Sequence, residues 1–252
     1  MKNDAHQYLN PPVVEVAITF EFMPSNETLK WSKETGNEFV DKFSELPKRG
    51  YAIRQSVPTP TTSKDGIPEF KLPSVTFSEV CCQSNDMTRI LGVGENYLTC
   101  HILRNESIYP HYSEVKEMIC RYLPEYQIFW KSGILKKIGL SYIDEVIIPK
   151  TDIDLDEYFQ FGISGNSNLG KLEYFDTTLH FPSKSEYGID LKFQFRCTTG
   201  EINNYSYFHI FWNCIKNICD PNKFDKELDD VHIYIRSLFE KSLTDKCKKL
   251  FN

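Results

Sequence analysis

The chain has 252 residues, 40% of them hydrophobic and 14% aromatic, with a formal net charge of −6. That apolar mass excludes a disordered chain, and the acidic balance speaks against a duplex-binding protein, whose affinity rests on neutralising phosphates. No apolar run approaches the ~18 residues of a membrane span, and the polar start Met1-Lys2-Asn3-Asp4 has no signal-peptide core, so a cytoplasmic protein without membrane contact is expected.

Asn10-Pro11-Pro12 sets an extended start, because proline fixes φ and restricts the residue before it. Val14, Val16, Ile18, Phe20 and Phe22 then alternate with Glu15, Thr19 and Glu21. Period two with one apolar side predicts the first strand of the main sheet. Ser25 or Asn26 is expected to cap a helix reaching Pro47, with Leu29, Gly36, Phe39, Val40, Phe43 and Leu46 on its apolar side. Gly36 costs ~1 kcal/mol of helix propensity there, so a close packing contact is expected to offset it. Strands are expected at residues 51–57, 70–79, 88–93 and 97–103, the last two joined by the turn Gly94-Glu95-Asn96. Residues 58–69, with three prolines and Asp65-Gly66, read as a surface loop, with a lid as the sharper alternative.

Ser113 is expected to start a second helix with Val115, Met118, Ile119, Tyr122 and Leu123 on one face, and Pro124 to close it. Residues 135–149 read as a long strand. Ile138, Leu140, Tyr142, Val146 and Ile148 share one phase, and Asp144 falls in that phase too. An acid on an apolar face must be paired, protonated or displaced by a bulge. Further strands are expected at 171–181, 188–197 and 205–214. A long final helix follows, carrying Leu228, Val231, Ile235, Leu238, Phe239, Leu243 and Leu250. The order predicts an α+β fold: curved antiparallel sheet with long packing helices, in two helix-grip or TATA-binding-protein-like halves. The halves, 1–133 and 134–252, are expected to form one compact unit.

The eight cysteines contain no C-x-x-C pair and read as small buried hydrophobes in a reducing compartment. His209, Cys214 and Cys219 have the best metal-like spacing, but on a strand residues 209 and 214 face opposite sides and structural zinc wants four ligands. No metal and no cofactor is therefore expected, and no catalytic residue is assigned. Two groupings stand as candidate sites. One is a seam site of Glu15, Asp144 and Tyr142, formed if the first strand pairs with residues 135–149. The other is an aromatic pocket of His209, Trp212, Asp176 and His180. Both compete with an ordinary solvated sheet face. Lysines interleaved with Phe129 and Trp130 between residues 126 and 137 would suit a single-strand nucleic-acid platform, against a plain solvated edge.

Several stretches together resemble a known family. They are Asn10-Pro11-Pro12-Val13-Val14-Glu15-Val16, Tyr109-Pro110-x-Tyr112, Ile138-Gly139-Leu140-Ser141-Tyr142-Ile143-Asp144, Leu155-x-x-Tyr158-Phe159 and Val231-His232-x-x-Ile235 with Phe239 and Leu243-Thr244. They are similar to a sporadically distributed prokaryotic family of about this length and unassigned function. That family more usually reads Leu-Arg-Tyr-Ile-Asn and a basic residue where this chain has Leu140-Ser141-Tyr142-Ile143-Asp144-Glu145. Its patchy distribution implies mobile or defence-associated genes. The expectation is a non-enzymatic binding or interaction protein, with a protein partner or a second copy of itself, in a bacterial defence or toxin-neutralising system. The alternatives are an enzyme or small-ligand binder using an aromatic cavity, and a nucleic-acid accessory factor.

Overall fold

The computed structural model describes residues 8–24, 27, 29–55, 60–62, 68–70, 75–106, 108–149, 153–161, 174–182, 188–200, 205–218 and 220–252. In chain order the elements are β1 (Val13–Phe22), α1 (Lys33–Val40), β2 (Lys48–Gln55), β3 (Pro60–Thr62), β4 (Pro68–Phe70), β5 (Val75–Gln83), β6 (Arg89–Gly94) and β7 (Tyr97–Leu103). They continue with α2 (Tyr112–Trp130), β8 (Leu135–Ile148), β9 (Tyr174–Phe181), β10 (Ile189–Gly200), β11 (Tyr205–Asn217), α3 (Phe224–Ser242) and α4 (Asp245–Lys248).

Nine strands form one curved, open antiparallel sheet in the order β2-β5-β6-β7-β1-β8-β11-β10-β9. The fold is α+β, as its alternating periods predict. β1 lies at the centre, between β7 and β8. The pairing of the first strand with residues 135–149 is therefore present, and strands of the two sequence halves meet along it. Pairing sets the faces, because directly opposed residues point the same way. Val16 opposes Tyr142, Ile18 opposes Leu140 and Phe20 opposes Ile138, and all six are buried. Three helices pack on that side. Gly36 of α1 meets Val80, Tyr126 of α2 stacks on Phe22 at 5.0 Å, and Phe224 of α3 stands edge-on to Phe20 at 5.5 Å. The opposite face carries Glu15, Thr19, Thr99, His101 and Glu145.

The helix limits differ from the sequence reading. Ser32, not Ser25 or Asn26, caps α1, and those two lie outside the described residues. Ser32 Oγ accepts from the Thr35 N–H at 3.1 Å while the Ser32 N–H donates to Thr35 Oγ1 at 2.9 Å, so two otherwise unpaired donors are satisfied reciprocally. Leu29 lies before the helix, and its N–H donates to the Trp130 carbonyl at 3.0 Å. α2 runs through Pro124. The proline forfeits one backbone bond, but Tyr126 and Trp130 beyond it are fully buried and hold the next turns in place. The final helix stops at Ser242. Leu243 bridges to Phe159, and Thr244 caps α4 by accepting from the Cys247 N–H at 3.3 Å. Of the stretch expected as a loop at 58–69, residues 58–59 and 63–67 lie outside the described residues, and Pro60–Thr62 (β3) pairs with Pro68–Phe70 (β4).

Gly36 has the close contact expected of it. A Cβ there would lie 2.6 Å from Val80 Cγ2 and 3.0 Å from Trp31 Cη2. The valine is β-branched and cannot swing away. Gly36→Ala is expected to destabilise the protein by about 1–3 kcal/mol through overpacking, despite its better helix propensity. Urea unfolding measures this, and a stabilised variant would contradict the packing account.

Candidate functional site

Four segments meet around a cleft of about 500 Å³ on the helix side of the sheet. The leading segment contributes Tyr8 and residues 11–13, and the approach to α2, with the first two residues of that helix, contributes residues 109–113. β8 contributes Tyr142 and Asp144, and α3 contributes His232, Ile235, Arg236, Phe239 and Glu240. The α3 residues recur at three- and four-residue spacing, which places them on one helix face. The two prolines hold the leading segment extended beside them. A bulge in β1 between Val13 and Glu15 brings Val13 opposite Asp144.

Asp144 is 2% exposed, and its carboxylate accepts one hydrogen bond, from Trp212 Nε1 at 3.1 Å. Burial pushes its carboxyl up to about 7, with the indole N–H pulling the other way. The bulge lies in β1 and leaves Asp144 in the apolar phase, so protonation and the indole bond are what accommodate the acid. Trp212→Phe removes that donor. The Asp144 carboxyl is then expected to titrate higher still, read by carbon-detected NMR, with about 1–2 kcal/mol of stability lost. An unchanged titration would show that the indole does not stabilise the carboxylate.

His232 lies parallel on the Tyr112 ring, with centroids 4.0 Å apart and an interplanar angle of 5°. Its Nδ1 is 2.8 Å from the Tyr142 hydroxyl. Burial, and then the positive charge of Arg236, push its pKa down to about 4, so the imidazole is neutral at pH 7. The Tyr142 phenol is held far above its usual range by burial and by Asp144, and it can donate into Nδ1. The Tyr112 hydroxyl donates to Asp229 at 2.7 Å, and Lys116 bridges Asp229 and Asp225. Tyr8 donates to Glu240 at 2.9 Å. Tyr8 and Tyr112 are thus fixed by hydrogen bonds to carboxylates.

The sheet divides both groups of residues singled out by sequence. Asp144, Tyr142 and Trp212 come together on the helix side. Glu15, His209, Asp176 and His180 lie on the other side, because Glu15 opposes Ile143, His209 opposes Glu145, and Asp176 and His180 oppose Arg196 and Lys192. There Glu15 Oε1 is 2.7 Å from His101 Nδ1, and His101 Nε2 is 3.1 Å from Thr99 Oγ1. This has the order of a catalytic relay. However, Thr99 is only 5% exposed, and its hydroxyl also donates to the Ile18 carbonyl at 3.1 Å and meets Thr19 at 3.0 Å. The chain of bonds braces β1 against β7. Nearby, Glu145 holds Arg104 at 2.5 Å and His209 at 3.4 Å. Asp176 takes Arg196 at 3.0 Å and Gln194 at 2.9 Å.

Other sequence features have structural duties. Trp130 is buried and Lys137 pairs with Glu21 at 3.0 Å, so residues 126–137 form no exposed aromatic platform. Cys82, Cys100, Cys197, Cys214 and Cys247 are buried. Cys81 donates to Glu79 at 2.9 Å, and burial keeps its thiol protonated. His209 and Cys214 face opposite sides, and Cys219 lies outside the described residues. Among the described residues no group of three or more His, Cys, Asp or Glu is placed to hold a metal. No helix among them is long and apolar enough to cross a membrane. Tyr8, Tyr112, His232 and Arg236 were not singled out as site residues by sequence. His232 carried a signal, since it shares a helical phase with Leu228, Ile235 and Phe239. Compared with models of known protein families and with curated proteins, the chain matches none.

Proposed function

We propose that the protein is a binding protein that takes a small molecule in the cleft between the leading segment, β8 and α3. The observation that carries this reading is a buried carboxyl, Asp144, lining a 500 Å³ cleft whose walls are largely aromatic and aliphatic, with His232, Arg236 and Glu240 among them. A largely apolar pocket with a few convergent polar groups is the usual form of a small-molecule site. Binding is favoured over catalysis because the polar groups are already occupied: His232 with Tyr142, Tyr112 with Asp229, Tyr8 with Glu240. A protein partner in a defence or toxin-neutralising system belongs to this proposal.

One observation favours a second reading. A carboxyl held near 7 suits general acid–base chemistry at neutral pH. Incubation with a metabolite mixture separates the two, since a catalyst consumes a component and a binding protein only retains it. Hydrogen exchange of the loaded protein should show protection at residues 8–13, 109–113 and 232–240. Protection confined to the opposite sheet face would remove the cleft from consideration.

A further inference from the structure

Three formally charged side chains line the cleft: Asp144, Arg236 and Glu240. Glu240 is held by Lys248 at 3.6 Å and by the Tyr8 hydroxyl at 2.9 Å, and the charge of Arg236 acts on His232 and Tyr142. Asp144 stands apart from them, on β8. It has no ion-pair partner among the described residues, and its only hydrogen bond comes from a neutral indole. Once ionised, it is a carboxylate 2% exposed at the wall of the cleft with no cation beside it among the described residues. The walls around it include the rings of Tyr8, Tyr109, Tyr112 and Phe239. Aromatic faces attract cations, most strongly where water is excluded.

From this geometry we infer that the cleft recognises a small organic ammonium ion, with its nitrogen on the Asp144 carboxylate and its carbon frame against the tyrosine and phenylalanine rings. This rests on the reading of the cleft as a small-molecule site and narrows it to one ligand class. The buried carboxyl, bonded to a neutral indole, supports a cation over an anion, since an anion would lie against it. Binding also moves a proton. Below pH 7 the empty site holds Asp144 largely as the acid, so the arriving ammonium ion displaces one proton to the solvent. The other groups facing the cleft are the Tyr8, Tyr112 and Tyr142 phenols, all held up by burial, Tyr109, neutral His232, His111, and the Arg236 and Glu240 charges.

The test is calorimetric titration with three probes sharing one frame: phenethylammonium, phenethyl alcohol and phenylacetate, at millimolar concentration. Phenethylammonium is expected to bind, to release one proton below pH 7 as read from buffers of different ionisation enthalpy, and to lose at least about 30-fold in affinity in Asp144→Asn. The proton count needs no variant, so it stands even if the substitution perturbs the fold. If only the alcohol or phenylacetate binds, the cation assignment falls and the cleft reading survives. If the ammonium ion binds without proton release and equally well to Asp144→Asn, the role of Asp144 falls. If no probe binds, both readings fall.

Discussion

Asp144→Asn is expected to be more stable than the wild-type protein above pH 7, by up to about 4 kcal/mol. The figure follows from a carboxyl raised from 3.8 to about 7, at about 1.4 kcal/mol per tenfold change in proton affinity. The folded state keeps a proton that the unfolded state releases between pH 4 and 7. Wild-type stability therefore falls as pH rises through that window, and the loss is complete above about 7. Asparagine keeps an oxygen for the Trp212 N–H and carries no charge, so the penalty disappears. Below pH 4 the two proteins should converge.

His232 has the opposite sign. Its folded pKa lies near 4, below the usual 6.5, through burial and Arg236, with Asp229 pulling upward and Lys116 downward. As pH falls through 6.5 the unfolded state takes up a proton first, and stability drops. Between pH 4 and 6.5 the two slopes oppose each other, so the wild-type protein should look nearly flat from this pair. Asp144→Asn should unmask a rise with pH. Urea unfolding across this range reads both effects. A variant no more stable than wild type at pH 8 would mean that Asp144 carries no ionisation penalty.

Phe39→Ala should cost about 3–5 kcal/mol, in the range for deleting a buried aromatic. Phe39 is fully buried and touches four rings: Phe43 at 5.2 Å, Tyr126 at 5.9 Å, Phe129 at 5.4 Å and Trp130 at 6.5 Å. It is how a helix of only eight residues, too short to persist alone, is held against α2. Ile128, on the same α2 helix but 73% exposed, is the control, and Ile128→Ala should change stability by less than about 0.5 kcal/mol. Equal losses in guanidinium unfolding would refute the anchoring role of Phe39.

Strand phase was legible because one face is buried and the period of two leaves no choice of which residues point inward. Val16, Ile18 and Phe20 declare it in β1, as do Leu191, Phe193 and Phe195 in β10. The same phases place Asp144 inward and Glu15 outward, so adjacency of their strands could not bring them together. Helix ends were less legible. Pro124 reads locally as a stop, and only the burial of Tyr126 and Trp130 explains why α2 continues. Ser32 was hidden by better-looking caps upstream. The cleft was half legible. Asp144 stood out by its phase, whereas His232 lies 90 residues from its partner Tyr142 and Tyr8 lies 232 residues from Glu240. No local pattern encodes such pairs, since tertiary packing makes them.

The central position of β1 also sets a timetable for synthesis. This strand is complete once Phe22 emerges, yet its first neighbour, β7, ends at Leu103 and its second, β8, at Ile148. A nascent chain must carry an apolar strand with both edges unpaired until β7 has been made and with one edge unpaired until Ile148 has been made. Such a strand invites pairing with another chain, and closing loops of this length is slow. Truncations between residues 103 and 148 should therefore bind chaperones and aggregate, whereas the strands from β2 to β7 find their neighbours within the residues already translated.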